Sequence, residues 1–165
     1  MKDLFKSFGY AFRGIGYTVM HERNFRIHIC IITFLFPFLL LTDFFEVTRT
    51  QYAILVLYSA LVLALELINT ALEKAVDLAC KGERHNLAKI AKDACAGAVL
   101  IAAIGAVILA GVLFCKNESL LAIYEHYKAH PVEILWYIAK LIADYIFVFI
   151  APKKIAGFIS KRSKK

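Results

Sequence analysis

Two long stretches of this chain contain no Asp, Glu, Lys or Arg: Ile27–Thr42 and Ala94–Cys115. A third, Tyr52–Leu65, is equally free of charge. A helix needs about 20 predominantly apolar residues, and no fewer than about 17, to cross a bilayer. The apolar fraction of the 165 residues is 61% and the mean hydropathy is +0.66, against roughly 45–50% apolar for soluble domains. A soluble domain of this size lacks the interior to hide so much apolar surface. A soluble enzyme and a disordered chain are both excluded, and the pattern predicts a small all-α integral membrane protein.

The three spans are expected at about 25–42, 51–80 and 94–115, with Pro37 inside the first. Ahead of them, residues 2–18 place Leu4, Phe5, Phe8, Phe12 and Ile15 on one helix side and Lys2, Lys6 and Arg13 elsewhere. That is the pattern of a helix lying at the membrane surface. The segment has no continuous apolar core or small-residue cleavage site, so it does not read as a cleavable signal. Five Lys and Arg residues lie within residues 1–26, at and before the start of the first span, and Lys81, Arg84, Lys89 and Lys92 lie in the loop Lys81–Lys92. The turn Asp43–Arg49 has only Arg49. Lys and Arg favour the cytoplasmic side, so the N-terminus and the Lys81–Lys92 loop are expected inside the cell membrane and Lys116 outside. These basic groups border apolar runs and not aromatic-studded soluble faces, which argues against nucleic acid as a partner. Cys30, Cys80, Cys95 and Cys115 form no CxxC pair and read as small buried hydrophobes. Ala98, Ala102, Ala106 and Ala110 recur every fourth residue, a stripe suited to close helix packing in lipid.

Beyond Cys115 the chain offers an apolar segment, Val132–Ala151, and a basic tail, Lys153–Lys165. The segment is just long enough to span, and the tail would then return to the cytoplasm. Glu133, Lys140 and Asp144 interrupt it, and Lys140 and Asp144 are spaced to pair on one helix face. A helix lying on the outer surface is the alternative.

The second span carries the informative polar groups. Glu66, Asn69, Glu73 and Asp77 are spaced by three, four and four. At about 100° per residue they share a face about 80° wide and extend along about 16 Å of helix. Ionisable groups at membrane depth are costly and usually functional. Glu66 directly follows Leu61-Val62-Leu63-Ala64-Leu65, which makes a solvated helix end a poor account of it. Three carboxylates this close repel one another unless a positive charge sits among them. Hard oxygen ligands of this kind suit Mg²⁺, which keeps waters and phosphates in its shell. Glu22 and Arg26, on the helix entering the first span, and Lys92 and Asp93, at the start of the third, fall at the same level. Acids, a Lys, an Arg and an Asn together make an inventory for a divalent cation and a polyphosphate. The chain has no GxxxxGK[ST] loop and no protein-kinase signature.

Three blocks carry a resemblance: His21-Glu22-Arg23-Asn24-Phe25-Arg26, Glu66-Leu67-Ile68-Asn69-Thr70-Ala71-Leu72-Glu73-Lys74-Ala75-Val76-Asp77, and Ala91-Lys92-Asp93-Ala94-Cys95-Ala96-Gly97-Ala98-Val99. In these blocks the sequence resembles the small prokaryotic diacylglycerol kinase / undecaprenol kinase family, over about residues 4–114. The resemblance implies a homotrimer of three-span subunits that transfers the ATP γ-phosphate to the hydroxyl of a membrane lipid. It implies Glu66 as general base, Glu22 and Glu73 as ligands of Mg²⁺, and Asn69, Asp77 and Arg26 as supports. Lys92 and Asp93 would lie at the nucleotide phosphates, with Tyr10, Glu83 and His85 bordering the nucleotide. Residues 1–115 would then form the lipid kinase membrane domain, with its site at the cytoplasmic face of the plasma membrane, and 116–165 a C-terminal extension able to add a fourth helix.

His28, where the diacylglycerol-kinase branch has an acid, and Leu87-Ala88-Lys89-Ile90-Ala91-Lys92-Asp93 resemble the Gram-positive undecaprenol kinases. Undecaprenol is therefore the favoured acceptor, with diacylglycerol as the alternative. A reading of another class, a small cation or proton transporter, fits the buried acids but gives no role to Lys92–Asp93 or the basic surface helix.

Overall fold

In a computed structural model of the chain, which describes residues 2–115, 117–150 and 152, every regular element is helical. The first is α1, Lys2–His21, whose apolar residues Leu4, Phe5, Phe8 and Phe12 are exposed, as suits a helix resting on lipid. Glu22 is in extended conformation (φ −102°, ψ 114°) and turns the chain into α2, Arg23–Leu41. α2 continues through Pro37 and closes on Thr42, whose amide and hydroxyl both donate to the Phe38 carbonyl.

α3 spans Arg49–Cys80. Its start is fixed by a reciprocal cap: the Gln51 amide donates to Thr48 Oγ1, and the Thr48 amide donates to Gln51 Oε1. Its end is set by Lys81 and Gly82, both at positive φ (50° and 87°), the left-handed turn that commonly stops a helix. α4, Asn86–Phe114, begins earlier than the expected span at 94. The predicted loop Lys81–Lys92 is thus reduced to residues 81–85, because nothing from Asn86 to Asp93 breaks a helix and Lys92 gains a partner on α3 by being helical.

α2, α3 and α4 are each long and apolar enough to cross a membrane. The inward face of α4 is lined by Val99 and Ala102, both buried, while Ala98 is exposed. The alanine stripe is therefore only partly a packing seam. The closest approach is at Gly105, where a Cβ would lie 2.3 Å from Tyr58 Oη and 3.1 Å from its ring. Of the cysteines, Cys30 is buried as expected, whereas Cys115 is exposed, and all four are free thiols.

The C-terminal region forms α5, Asn117–Ala129, a 3₁₀ turn at Pro131–Glu133, α6, Ile134–Tyr145, and a π-helical turn at Ile146–Ile150. The expected basic tail, Lys153–Lys165, and Lys116 lie outside the described residues. α5 was not foreseen, since its charged and apolar residues share no clear face.

Gly105→Ala should force Tyr58 from its place between α3 and α4. Overpacking of this kind costs about 1–3 kcal/mol, seen as a lower unfolding temperature in detergent. Adding Tyr58→Phe, which removes the clashing hydroxyl, should restore part of it.

Candidate active site

The polar stripe of α3 is graded by depth. Glu66 is 3% exposed, Asn69 and Glu73 are half-buried, and Asp77 is exposed. A 3.6-residue repeat keeps all four on one side, and the apolar run before Glu66 holds the first of them inside.

Glu66 faces α2. Its Oε1 lies 3.4 Å from His28 Nε2, and the Glu66 side chain is 4% exposed. The sequence marked His28 only as a sign of a family branch. Its place beside the deepest carboxylate comes from the packing of α2 on α3. A visible signal exists in hindsight: His28 is the single imidazole in the run Ile27–Thr42, which has no Asp, Glu, Lys or Arg. Behind Glu66, Thr70 Oγ1 donates to the Glu66 carbonyl at 3.0 Å, which satisfies a buried hydroxyl. Among the described residues, His28 is the ionisable side chain within ion-pair distance of the Glu66 carboxylate, and burying such a polar group costs stability.

One turn further out, Asn69 Nδ2 donates to Glu73 Oε1 at 3.0 Å. Asn69 Oδ1 is buried and has no hydrogen-bond partner among the described residues. An orphaned buried acceptor is destabilising unless a ligand completes it. Glu73 and the free Asn69 oxygen form a hard-oxygen donor set of the sort Mg²⁺ accepts, and Glu22, half-buried at the α1–α2 elbow, is of the same kind. No three His, Cys, Asp or Glu side chains among the described residues close on one point. The residues present fit an ion that takes part of its shell from phosphate and water, as Mg²⁺ does.

Arg26 is buried and does not pair with Glu22. Its Nη1 donates to the Val19 and Met20 carbonyls at 2.8 and 3.2 Å, and its Nε to the Val148 carbonyl at 3.1 Å. The guanidinium is taken by the unpaired carbonyls at the end of α1.

At the outer end of the stripe, Lys92 Nζ donates to Asp77 Oδ1, across from α4 to α3. The pair sits in a cleft of about 540 Å³ between the end of α3 and the start of α4. Asp77, Glu83, His85, Lys92 and Asp93, all predicted from the sequence, line it together. Arg84 and Lys89 line it as well and were not predicted. His85 Nε2 lies 3.5 Å from Glu83 Oε2. Tyr10 is not among the lining residues: it is exposed on α1, with Arg13 over its ring at 4.7 Å.

The arrangement therefore has a sheltered carboxylate paired with an imidazole, an oxygen-rich middle, and an open cleft carrying Arg84, Lys89 and Lys92. Glu66→Leu should leave the thermal unfolding temperature in detergent unchanged or raise it, because a buried carboxylate is replaced by an apolar group. A clear fall would mark Glu66 as structural.

Comparison with known proteins gives a family match and three relatives. The family model described as prokaryotic diacylglycerol kinase matches residues 9–114. A diacylglycerol kinase of Synechocystis is 46% identical over 115 residues, 67% of this chain and 62% of that protein. An undecaprenol kinase of Bacillus subtilis is 39% identical over 114 residues, 69% of this chain and 89% of that one. A diacylglycerol kinase of Haemophilus influenzae is 34% identical over 115 residues, 94% of its length. The chain thus spans less than two thirds of the Synechocystis relative. No solved structure gives a significant match.

Proposed function

The chain belongs to the prokaryotic diacylglycerol kinase family, a family of membrane lipid kinases, and from that premise we propose that it transfers the ATP γ-phosphate to the hydroxyl of a membrane lipid at the cytoplasmic face. The observation that carries this reading is the buried Glu66 carboxylate at the deep end of a polar stripe whose other end opens into a cleft lined by Arg84, Lys89 and Lys92. A lipid hydroxyl sits near the headgroups, and a nucleotide arrives from water. A site graded from sheltered base to open cationic cleft serves both.

Glu66 takes the proton of the lipid hydroxyl, as a general base must lie within hydrogen-bond reach of its proton. The freed oxygen forms a bond to the γ-phosphorus, and the bond to the β-phosphate bridging oxygen breaks, releasing ADP. His28, 3.4 Å from Glu66, fixes the orientation of the carboxylate. Phosphoryl transfer otherwise rests on positioning and charge neutralisation. Lys92, Lys89 and Arg84 meet the phosphates, Asp77 holds Lys92 in place, and Asp93, Glu83 and His85 border the nucleotide. Tyr10 joins them in the homotrimer that the family resemblance implies. Glu22 and Glu73, with Asn69, would hold Mg²⁺, which supplies positive charge to the phosphate oxygens.

Undecaprenol is the acceptor favoured by His28 and by the string Leu87-Ala88-Lys89-Ile90-Ala91-Lys92-Asp93. Diacylglycerol is the second reading, favoured by the 46% identity to the Synechocystis diacylglycerol kinase. Purified protein given Mg-ATP with each lipid in turn discriminates them, and failure to phosphorylate either would favour the transporter reading.

Glu66→Gln should lower kcat by roughly 10²–10⁴-fold, the usual size of a general-base contribution, with ATP binding little changed. Near-normal turnover would remove Glu66 from that role. Glu22→Ala and Glu73→Ala should each raise the Mg²⁺ needed for half-maximal rate or abolish activity. Unchanged Mg²⁺ dependence in both would refute a shared ion.

A further inference from the structure

Nothing in the family match accounts for the residues after 114, yet these residues are packed along the first span. Tyr137 meets Phe34 and Phe38 edge-on at 5.8 and 6.1 Å. Lys140 Nζ lies 3.3 Å from Thr33 Oγ1. The Val148 carbonyl accepts from Arg26. As the C-terminal helix advances from Tyr137 to Val148, its contacts retreat along α2 from Phe38 to Arg26, so the two helices run antiparallel. At the start of this run, Phe44 of the α2–α3 connection packs against His126 and Tyr127 of α5 at 5.1 and 5.9 Å, an aromatic cluster of the kind found at membrane interfaces.

The faces of this helix separate a spanning segment from a surface one. Tyr137, Lys140, Asp144 and Val148 recur at helical spacing and turn towards α2. The side turned away from α2 shows Leu135, Ile138 and Ile142, all exposed and apolar. A helix lying on a membrane surface directs its polar groups to water; here they face the protein. Lys140 Nζ is 2.6 Å from both Asp144 oxygens, and this pairing is how charges are tolerated at membrane depth. Residues 131–150 form one unbroken helical run of 3₁₀, α and π turns, and with rises of about 1.5–2 Å per residue they reach roughly 30 Å, the thickness of the hydrocarbon core.

The far end is anchored by charge. α1 ends at His21, and a helix C-terminus carries a partial negative charge on its unpaired carbonyls. Val19, Met20 and Val148 carbonyls converge on the single buried guanidinium of Arg26, which is always protonated and offers donors in a fixed fork.

We infer that the C-terminal extension is a fourth membrane-crossing helix, antiparallel to α2, whose end is latched by Arg26 so that it braces the α1–α2 elbow carrying Glu22. The brace acts on the reaction through Glu22, and that part rests on the proposed role of Glu22 as a metal ligand. The crossing itself does not, and its measurement needs no activity.

The crossing is tested in the full chain with the four native cysteines replaced. A cysteine at Ser163 should resist a membrane-impermeant thiol reagent in intact cells and react after permeabilisation, while one at Ala129 should react in intact cells. Reaction of Ser163→Cys in intact cells would overturn the fourth span. The latch is tested by two truncations. A chain ending at Pro152 keeps Val148 and should match the full protein. A chain ending at Tyr145 loses it and should need roughly ten times more Mg²⁺ for half-maximal rate, with the KM for lipid unchanged. Equal Mg²⁺ requirements in the two would overturn the latch, and an inactive full-length chain with the expected labelling would instead count against the kinase reading alone.

Discussion

α3 is longer than a bilayer is thick. Its 32 residues reach about 48 Å at 1.5 Å per residue, against a hydrocarbon core of about 30 Å. About a third of the helix must therefore stand in the headgroup region and beyond. With the capped Thr48–Gln51 end flush with the far interface, the surplus falls at the other end, where Glu73 and Asp77 lie, and Glu66 sits just inside the core about 26 Å along the helix. α2 and α4 pack against this helix, and each brings its polar residues to the protruding half: His28 from α2, Lys92 and Asp93 from α4. The depth of every group in the candidate site follows from the length of one helix.

That geometry explains why the site is assembled with so few direct ion pairs. At the exposed end, Asp77 and Lys92 meet in water, where such a pair contributes little to stability and is available to a ligand. At the buried end, Glu66 has only His28 near it, and between them Asn69 Oδ1 has no protein partner. Unsatisfied polar groups in a membrane protein are costly, and their clustering on one face separates this stripe from an ordinary helix end. Stability is given up where chemistry needs charge, and it is recovered in the apolar faces of α2, α3 and α4.

Arg26 solves a related problem at the elbow. The carbonyls at the end of α1 have no intrahelical partner, and water is scarce at that depth. A guanidinium from the first turn and a half of α2 satisfies two of them and reaches a third carbonyl from the C-terminal helix. Among the described residues, Glu22 makes no side-chain ion pair within 4 Å.

The amino-acid order by itself determined the class of fold, the three spans and the face that carries the acids. Each depends on local periodicity: uncharged runs fix what lies in lipid, and a spacing of three and four fixes what shares a helix side. It also showed Lys140 and Asp144 as a pair, being one turn apart. Loop length was misjudged, because charge density around Lys89 and Lys92 suggested an open loop where α4 is already helical. Contacts between elements were decided only by tertiary structure: His28 against Glu66, Lys92 against Asp77, Arg26 against Val148, and the antiparallel course of the C-terminal helix along α2. These join residues up to 122 positions apart. No periodicity within one helix encodes which neighbour it packs against, because that choice is made by the fit of side chains between helices and by where unpaired carbonyls meet a buried cation.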